Sequence, residues 1–178
     1  MVSDLGSPRL QPWLYGLYAL ALLLFVQPFA ETASASWPPR LDEVGWRFAA
    51  VGILYTMLPT LLFALLIAAT AAYLLGHRTG LRIIGVVALV FAVAVVLLTA
   101  GFVLDAVQLR RIVRPEARGG YDLASVKAII AALVAVVGCA MLGVAAFKVT
   151  RRFAAVEGVR RRTAGEGLLV GRESRPPS

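Results

Sequence analysis

The side chains that could carry chemistry are few, and they stand apart from one another along the chain. The sequence contains one histidine, His77, and one cysteine, Cys139. Two such residues cannot form a His/Cys metal cluster without ligands from another chain, and a single cysteine forms no disulfide within the chain. The serines and threonines have no histidine placed to act as their base, and Gly119-Gly120 lacks the Lys-Thr of a phosphate-binding loop. These patterns predict a protein that is not an enzyme and that holds no cofactor.

Charged side chains within apolar segments are the usual sign of a transport pathway or a proton relay. The four longest apolar runs of this sequence carry no charged residue near their middle. Asp105 and Lys148 lie at the boundaries of runs, whereas Arg47 and Lys127 lie near the ends expected to face outward. His77 lies in a short basic turn, where we expect a solvated loop residue. This pattern argues against a proton-coupled transporter or an ion pump.

Composition is typical of a membrane protein. The chain has 178 residues, of which 60% are hydrophobic, with a mean hydropathy of +0.81 and a net charge of +8. Soluble domains are closer to half apolar, and this length suits one small domain. The basic residues are concentrated at predicted helix ends and in the C-terminal tail, as membrane topology requires. We therefore expect the lipid bilayer, and not nucleic acid, to be the partner of these residues.

The apolar runs predict an all-α fold, an integral membrane four-helix bundle that is antiparallel and has helices extending beyond the bilayer. The run from Ile83 to Leu104 contains neither charge nor proline and, at about 1.5 Å per residue, is long enough to cross the hydrocarbon core. The predicted spans are about 12–30, 44–75, 83–107 and 124–148. The predicted domains are a cytoplasmic N-terminus at 1–11, a transmembrane domain at 12–153 and a flexible basic cytoplasmic tail at 154–178.

Two helix boundaries allow alternatives. The first span could be a secretory signal peptide, because Ala33-Ser34-Ala35 fits a cleavage site after an apolar core. Its barely basic start and its length favour a retained helix instead. The fourth helix could begin with either Asp122 or Ser125 as its N-cap.

The second predicted span contains Pro59, which marks a candidate helix kink. Because proline lacks a backbone N–H, the carbonyl of Tyr55 is expected to lose its donor. Thr56 or Thr60 could help to satisfy the freed backbone groups. Such a kink is more often structural than part of a substrate pathway.

The distribution of Lys and Arg predicts the orientation. Placing both termini in the cytoplasm puts 11 of the 18 Lys and Arg residues inside and seven outside, which agrees with the positive-inside rule. We therefore expect a multi-pass protein of the bacterial inner (cytoplasmic) membrane with both termini cytoplasmic. The basic residues after the fourth span could also contact anionic lipid headgroups, although orientation alone would explain them. These candidate headgroup contacts are Lys148, Arg151, Arg152, Arg160, Arg161 and Arg162.

Small residues recur every four positions in three of the predicted helices. Such rows lie along one helix face and permit close approach of backbones, although alanine-rich helices also produce them by chance. We expect Cys139 to be a small packing residue, since apolar surroundings disfavour a reactive thiolate. The rows are Ala64-Ala68-Ala72-Gly76, Ala88-Ala92-Ala100 with Val96 filling the gap, and Ala131-Ala135-Cys139-Gly143.

The first 110 residues carry a distinctive order of features. A first span is followed by Trp37-Pro38-Pro39-Arg40-Leu41, and an aromatic helix start, Trp46-Arg47-Phe48, leads into a span that contains proline. In this layout the chain resembles the HpsJ-like family of small bacterial multi-pass membrane proteins. The chain departs from that family in its basic third loop and its Arg-rich tail. The resemblance implies a membrane protein without a catalytic motif.

We expect a non-catalytic accessory or scaffold subunit of a larger bacterial envelope or membrane complex, with other membrane proteins as partners. One alternative is a small transporter or channel component, with Tyr55, Thr56 and Pro59 lining a path. Another is a lipid- or cofactor-binding membrane module. Near the outer surface, Glu43 and Arg47 have the i,i+4 spacing of a favourable helical ion pair. The candidate partner surface is formed by Trp37, Trp46, Arg47, Asp105, Arg110 and Arg111.

Overall fold

The computed structural model describes residues 11–173, with side chains described for residues 12–152. Within these residues the chain consists of α-helices and short connections, with no strand, so the all-α prediction is confirmed. A 3₁₀ turn, Pro115–Ala117, precedes the last helix. The helices are α1 (Gln11–Ala35), α2 (Val44–Thr56), α3 (Leu58–Leu74), α4 (Arg78–Arg110) and α5 (Arg118–Glu173).

Three helical stretches are long and apolar enough to cross a membrane, namely Pro12–Ala35, Arg78–Arg110 and Pro115–Arg152. The helices α2 and α3 are each shorter than a span, but they meet the same criterion together as a pair bent by 43°. By length and composition, the described residues therefore contain three spans, or four if the bent pair is one. Each span predicted from the sequence overlaps one of these stretches or the bent pair.

The second predicted span forms two helices and not one kinked helix. The first of them ends at Thr56, Met57 takes φ −96° and ψ −5°, and Pro59 is the second residue of α3. The Met57 N–H donates to the Leu54 carbonyl at 3.0 Å, and the Tyr55 carbonyl also accepts a backbone hydrogen bond. Pro59 therefore supplies no N–H four residues after Tyr55, as expected, but the Tyr55 carbonyl is satisfied by another backbone donor. The Met57–Leu54 bond joins residues three apart, as in a 3₁₀ turn, so the backbone is tighter at the end of α2. Pro59 lies in the first turn of α3, where a backbone N–H would have no partner within the helix.

Paired glycines bring α4 and α5 close together. Gly85 and Gly143 are both buried, and a Cβ atom at position 143 would lie only 3.1 Å from the Gly85 carbonyl oxygen. At the other end of α4, the Tyr121 hydroxyl of α5 donates to the Ala106 carbonyl at 2.8 Å. The missing side chains at the two glycines allow the backbones to approach, which favours dispersion contacts between helices.

The predicted rows of small residues lie inside the bundle at most positions. Ala68 and Ala131 are half-buried, Ala100 is exposed, and Gly76 lies in the turn after α3 with a φ of +65°. Gly76 ends the helix because glycine adopts this left-handed conformation without a Cβ penalty. Cys139 is buried, which confirms its predicted packing role. The buried members of the rows are Ala64, Ala72, Ala88, Ala92, Ala135, Cys139 and Gly143.

The last helix differs from the predicted fourth helix at both ends. It begins at Arg118, so Asp122 and Ser125 lie within it and neither is the N-cap. The preceding turn, Pro115–Ala117, starts the helix because proline suits a first-turn position. At its other end α5 continues to Glu173, through most of the segment predicted as a flexible tail. The Ala, Arg, Glu and Leu residues of that segment favour a helix.

Two buried clusters form the inside of the bundle, and a wide apolar surface covers the outside. The first cluster consists of Tyr55, Leu58, Leu61, Val95, Phe102, Ala132 and Ala135. The second consists of Leu65, Ala88, Ala92 and Cys139. Large apolar side chains also face outward along the helices, among them Leu97, Leu104 and Met141. Outward apolar surface of this extent is typical of contact with lipid or with another protein.

Candidate functional site

An ion pair joins α2 to α4 at one end of the bundle. The Arg47 guanidinium donates from Nη2 to Asp105 Oδ1 at 2.8 Å and from Nε to Oδ2 at 3.1 Å. Asp105 is nearly buried, with 9% of its surface exposed. Arg47 Nη1 also donates to the Leu41 carbonyl at 2.8 Å. Because bidentate contacts between Arg and a carboxylate are strong and directional, this side chain fixes the α1–α2 connection relative to α4.

The predicted partner of Arg47, Glu43, is used elsewhere. Its carboxylate lies 3.3 Å from Arg40 Nη1, in a pair whose two side chains are both exposed. Glu43 is the N-cap of α2, with extended backbone angles, so it does not share a helical face with Arg47. Asp105 instead offers two carboxylate oxygens away from solvent. The i,i+4 prediction is therefore wrong, and the pair connects two helices.

A stack of aromatic rings continues from the ion pair into the bundle. The ring of Phe48 stacks on Phe102 at 4.6 Å between centroids and on Tyr121 at 5.1 Å. Phe102 in turn packs at 5.3 Å against Tyr55. These four rings come from α2, α4 and α5, so each contact joins two different helices. Aromatic pairs of this kind contribute about 0.5–1.5 kcal/mol beyond their buried area.

The predicted partner surface divides into engaged and exposed residues. Arg47 and Asp105 contact each other, and Arg110 pairs with Asp122 at 2.9 Å. The Trp46 indole N–H donates to the Ser36 carbonyl at 2.8 Å, which ties the start of α2 to the end of α1. The two remaining members, Trp37 and Arg111, are exposed, and Trp37 has 77% of its surface accessible. The structure thus brings this set to one end of the bundle, where most of its members stabilise the chain itself.

A hydrogen bond between two hydroxyl groups crosses the bundle near its middle. Tyr55, only 1% exposed, lies with its hydroxyl 2.8 Å from Thr99 Oγ1. The Thr99 hydroxyl donates its one proton to the Val95 carbonyl at 2.6 Å, so Tyr55 is the donor in the first bond. Both buried hydroxyl groups are satisfied, which removes the cost of placing them among apolar side chains.

An apolar groove of about 580 Å³ opens beside the bend between α2 and α3. The three residues predicted to line a path, Tyr55, Thr56 and Pro59, all lie on its wall. The opposite wall belongs to α5 and was not predicted. Its residues have the spacing i, i+3, i+4 and i+7, which is the signal that could have found it. The groove is lined by Phe48, Ala49, Gly52, Ile53, Tyr55, Thr56, Pro59, Phe102, Ala124, Lys127, Ala128 and Ala131.

The other end of the bundle is basic. His77 is exposed, as predicted for a loop histidine, and its ring also stacks on Tyr18 of α1 at 6.3 Å. Three predicted headgroup contacts, Lys148, Arg151 and Arg152, are exposed along α5. The side chains of the other three, Arg160, Arg161 and Arg162, lie outside the residues whose side chains are described. Among the side chains described, those of residues 12–152, no three His, Cys, Asp or Glu come together as metal ligands would.

Comparison of the chain with protein-family models, with curated proteins and with solved structures finds no significant match. The ion pair, the aromatic stack and the Tyr55–Thr99 bond hold helices together, whereas the groove leaves space beside them.

Proposed function

We propose that the chain is a non-catalytic membrane protein with four antiparallel spans, which acts as an accessory or scaffold subunit of a larger bacterial envelope or membrane complex. The observation that carries this proposal is the combination of an outward apolar surface with polar groups that pair between helices. The apolar surface of such a molecule can contact lipid along its sides, and the paired polar groups keep its end rigid for contact with a partner.

Contacts along α1 support a full crossing by the bent pair. The end of α1 meets the start of α2 through the Trp46–Ser36 hydrogen bond. The start of α1 meets the turn after α3 through the Tyr18–His77 stack. The helices α2 and α3 together therefore extend from one end of α1 to the other. With α1 in a bilayer, the pair would be a broken span and not a loop that returns to the same side.

The charges support an inner-membrane orientation with both termini cytoplasmic. The basic residues of the His77 end and the exposed Lys148, Arg151 and Arg152 would then lie inside, in agreement with the positive-inside rule. The Arg47–Asp105 pair and Trp37 would lie outside. The layout shared with the HpsJ-like family, which is based on the residues around Trp37 and Trp46, fits the same arrangement and adds support from resemblance.

The accessory role is tested by affinity purification in mild detergent. We expect other membrane proteins to co-purify with the wild type, and we expect Trp37→Ala combined with Arg111→Ala to reduce their recovery. Trp13→Ala is the matched control, because Trp13 is also 77% exposed but lies at the start of α1. A monodisperse single chain with no co-purifying protein would contradict the accessory role.

The groove favours a second candidate function, that of a lipid-binding membrane module. Its lining is apolar apart from Tyr55, Thr56 and Lys127. Such a lining suits a hydrocarbon chain better than a hydrated ion, which must keep its polar ligands. For this reason the groove supports the lipid-binding alternative more than the transporter alternative.

A further inference from the structure

One cation, Lys127, lines the apolar groove and has no ion-pair partner among the residues whose side chains are described. Its side chain is exposed. It lies six residues, about 9 Å along the helix axis, after Tyr121, at the outer boundary of the apolar run of α5 that begins at Ala128. An ammonium group at this depth is costly in a bilayer unless it reaches the interface or meets an anion.

The walls of the groove provide room beside this cation for a narrow apolar chain. Gly52 on α2 faces Ala124, Ala128 and Ala131 of α5, so small residues line both sides. A Cβ atom at Gly52 would meet nothing within 4 Å, which means that the space beside it is open. The groove volume of about 580 Å³ lies in the range of ligand pockets in proteins.

We propose that this groove binds one anionic phospholipid, with its phosphate on the Lys127 ammonium and an acyl chain along the groove towards Pro59. The inference rests on the proposed membrane location, since only there does the groove face lipid. Charge complementarity selects the occupant: the unpaired ammonium requires an anion, and the apolar walls require a hydrocarbon. An anionic phospholipid supplies both groups in one molecule, at the depth where lysine side chains extend to the interface.

The headgroup contact is tested by native mass spectrometry of the full chain in mild detergent, titrated with phosphatidylglycerol or with phosphatidylcholine. We expect the wild type to bind one phosphatidylglycerol more tightly than phosphatidylcholine. Lys127→Gln should weaken phosphatidylglycerol binding about tenfold, because a charge-assisted contact is lost. Lys127→Arg should keep the preference, and Arg114→Gln, an exposed cation outside the groove, should leave it unchanged. Equal phosphatidylglycerol affinity in the wild type and Lys127→Gln would overturn the proposal.

The acyl-chain contact is tested by filling the groove. Gly52→Leu should weaken binding of both lipids, because its side chain would project into the open space. Gly101→Leu is the matched control, since Gly101 also has nothing within 4 Å but lies on α4 outside the groove. Equal weakening by the two substitutions would overturn the proposal. Competition by inorganic phosphate alone would also overturn it, because it would indicate a phosphate site that needs no acyl chain.

Three further outcomes separate this inference from the proposed function. A protein that needs detergent for extraction, but shows no lipid adduct, overturns the lipid site and leaves the membrane assignment intact. A protein that stays in aqueous buffer without detergent overturns the membrane assignment itself. A co-purifying protein that is lost in Lys127→Gln, with no lipid bound to the wild type, would assign the groove to a partner helix and overturn the lipid proposal. Circular dichroism and size-exclusion chromatography of each variant test whether it is folded.

Discussion

Replacing Gly143 by alanine should destabilise the protein, although alanine is the better helix former. A Cβ atom at this position would lie 2.7 Å from Leu89 Cγ, 2.9 Å from Leu89 Cδ2 and 3.1 Å from the Gly85 carbonyl oxygen. The first atom is the branch point of a side chain, and the last belongs to the backbone of α4. Neither moves without shifting the α4–α5 contact.

The magnitude follows from two opposing effects. The change from glycine to alanine within a helix gains about 1 kcal/mol from backbone entropy. Overpacking of a close contact costs about 1–3 kcal/mol. Gly101→Ala carries the same entropic gain but meets no atom within 4 Å, so the difference between the two variants reports the overpacking alone. That difference should be about 1–3 kcal/mol, with Gly143→Ala the less stable variant.

Thermal unfolding in detergent, followed by circular dichroism, is the assay. At about 2–4 °C per kcal/mol for a chain of this size, the apparent Tm of Gly143→Ala should be about 2–12 °C below that of Gly101→Ala. Gly138→Ala should fall between them, because its Cβ would meet only the end of the Leu62 side chain, at 2.7 and 3.1 Å. Equal melting temperatures for Gly143→Ala and Gly101→Ala would refute the close α4–α5 contact.

Three other perturbations test the joints between helices, each read as an apparent Tm in the same assay. Asp105→Asn and Arg47→Gln should each lower the Tm, because each removes one partner of the ion pair. A double variant in which the two residues are exchanged should recover part of this loss. A Tm of the exchange variant no higher than those of the single variants would contradict the ion pair. Tyr55→Phe should lower the free energy of unfolding by about 0.5–1.5 kcal/mol. Thr99→Val should lower it more, since it leaves the buried Tyr55 hydroxyl without an acceptor. The reverse order would contradict the assignment of Tyr55 as the donor. Phe102→Ala should cost about 3–5 kcal/mol, and a loss under 1 kcal/mol would contradict the aromatic stack.

The helices were predictable because apolar length is a local property of the sequence. Each predicted span overlaps a long helix or the bent pair, and the burial of Cys139 followed from its place in a row of small residues. The position of the bend was less predictable. Because proline has no backbone N–H, the sequence indicates a lost hydrogen bond at the carbonyl four residues earlier, that of Tyr55. In the structure another backbone N–H donates to this carbonyl, because α2 ends with a tighter turn at Met57. That choice depends on the packing of α3 and not on Pro59 alone.

The site was less predictable, because its contacts join residues far apart in the chain. Arg47 and Asp105 both belong to the partner surface predicted from the sequence. Neither spacing nor residue type, however, indicates that two residues 58 positions apart form an ion pair. The local partner, Glu43, was favoured because the i,i+4 rule assumes that both residues lie in one helix. The sequence places Lys127 only near the outer end of a span, since its relation to the groove requires knowing that α5 packs beside α2.

In the proposed topology the bent pair α2–α3 crosses the membrane completely, so that the Trp37 end and the His77 end lie on opposite sides of the bilayer. Single cysteines at Trp37, His77 and Arg151, in a Cys139→Ala background, can be labelled in intact cells with a membrane-impermeant maleimide. The proposed topology predicts labelling at position 37 in intact cells, and at positions 77 and 151 only after permeabilisation. Labelling of positions 37 and 77 from the same side would contradict it, because the pair would then enter and leave the membrane at one face.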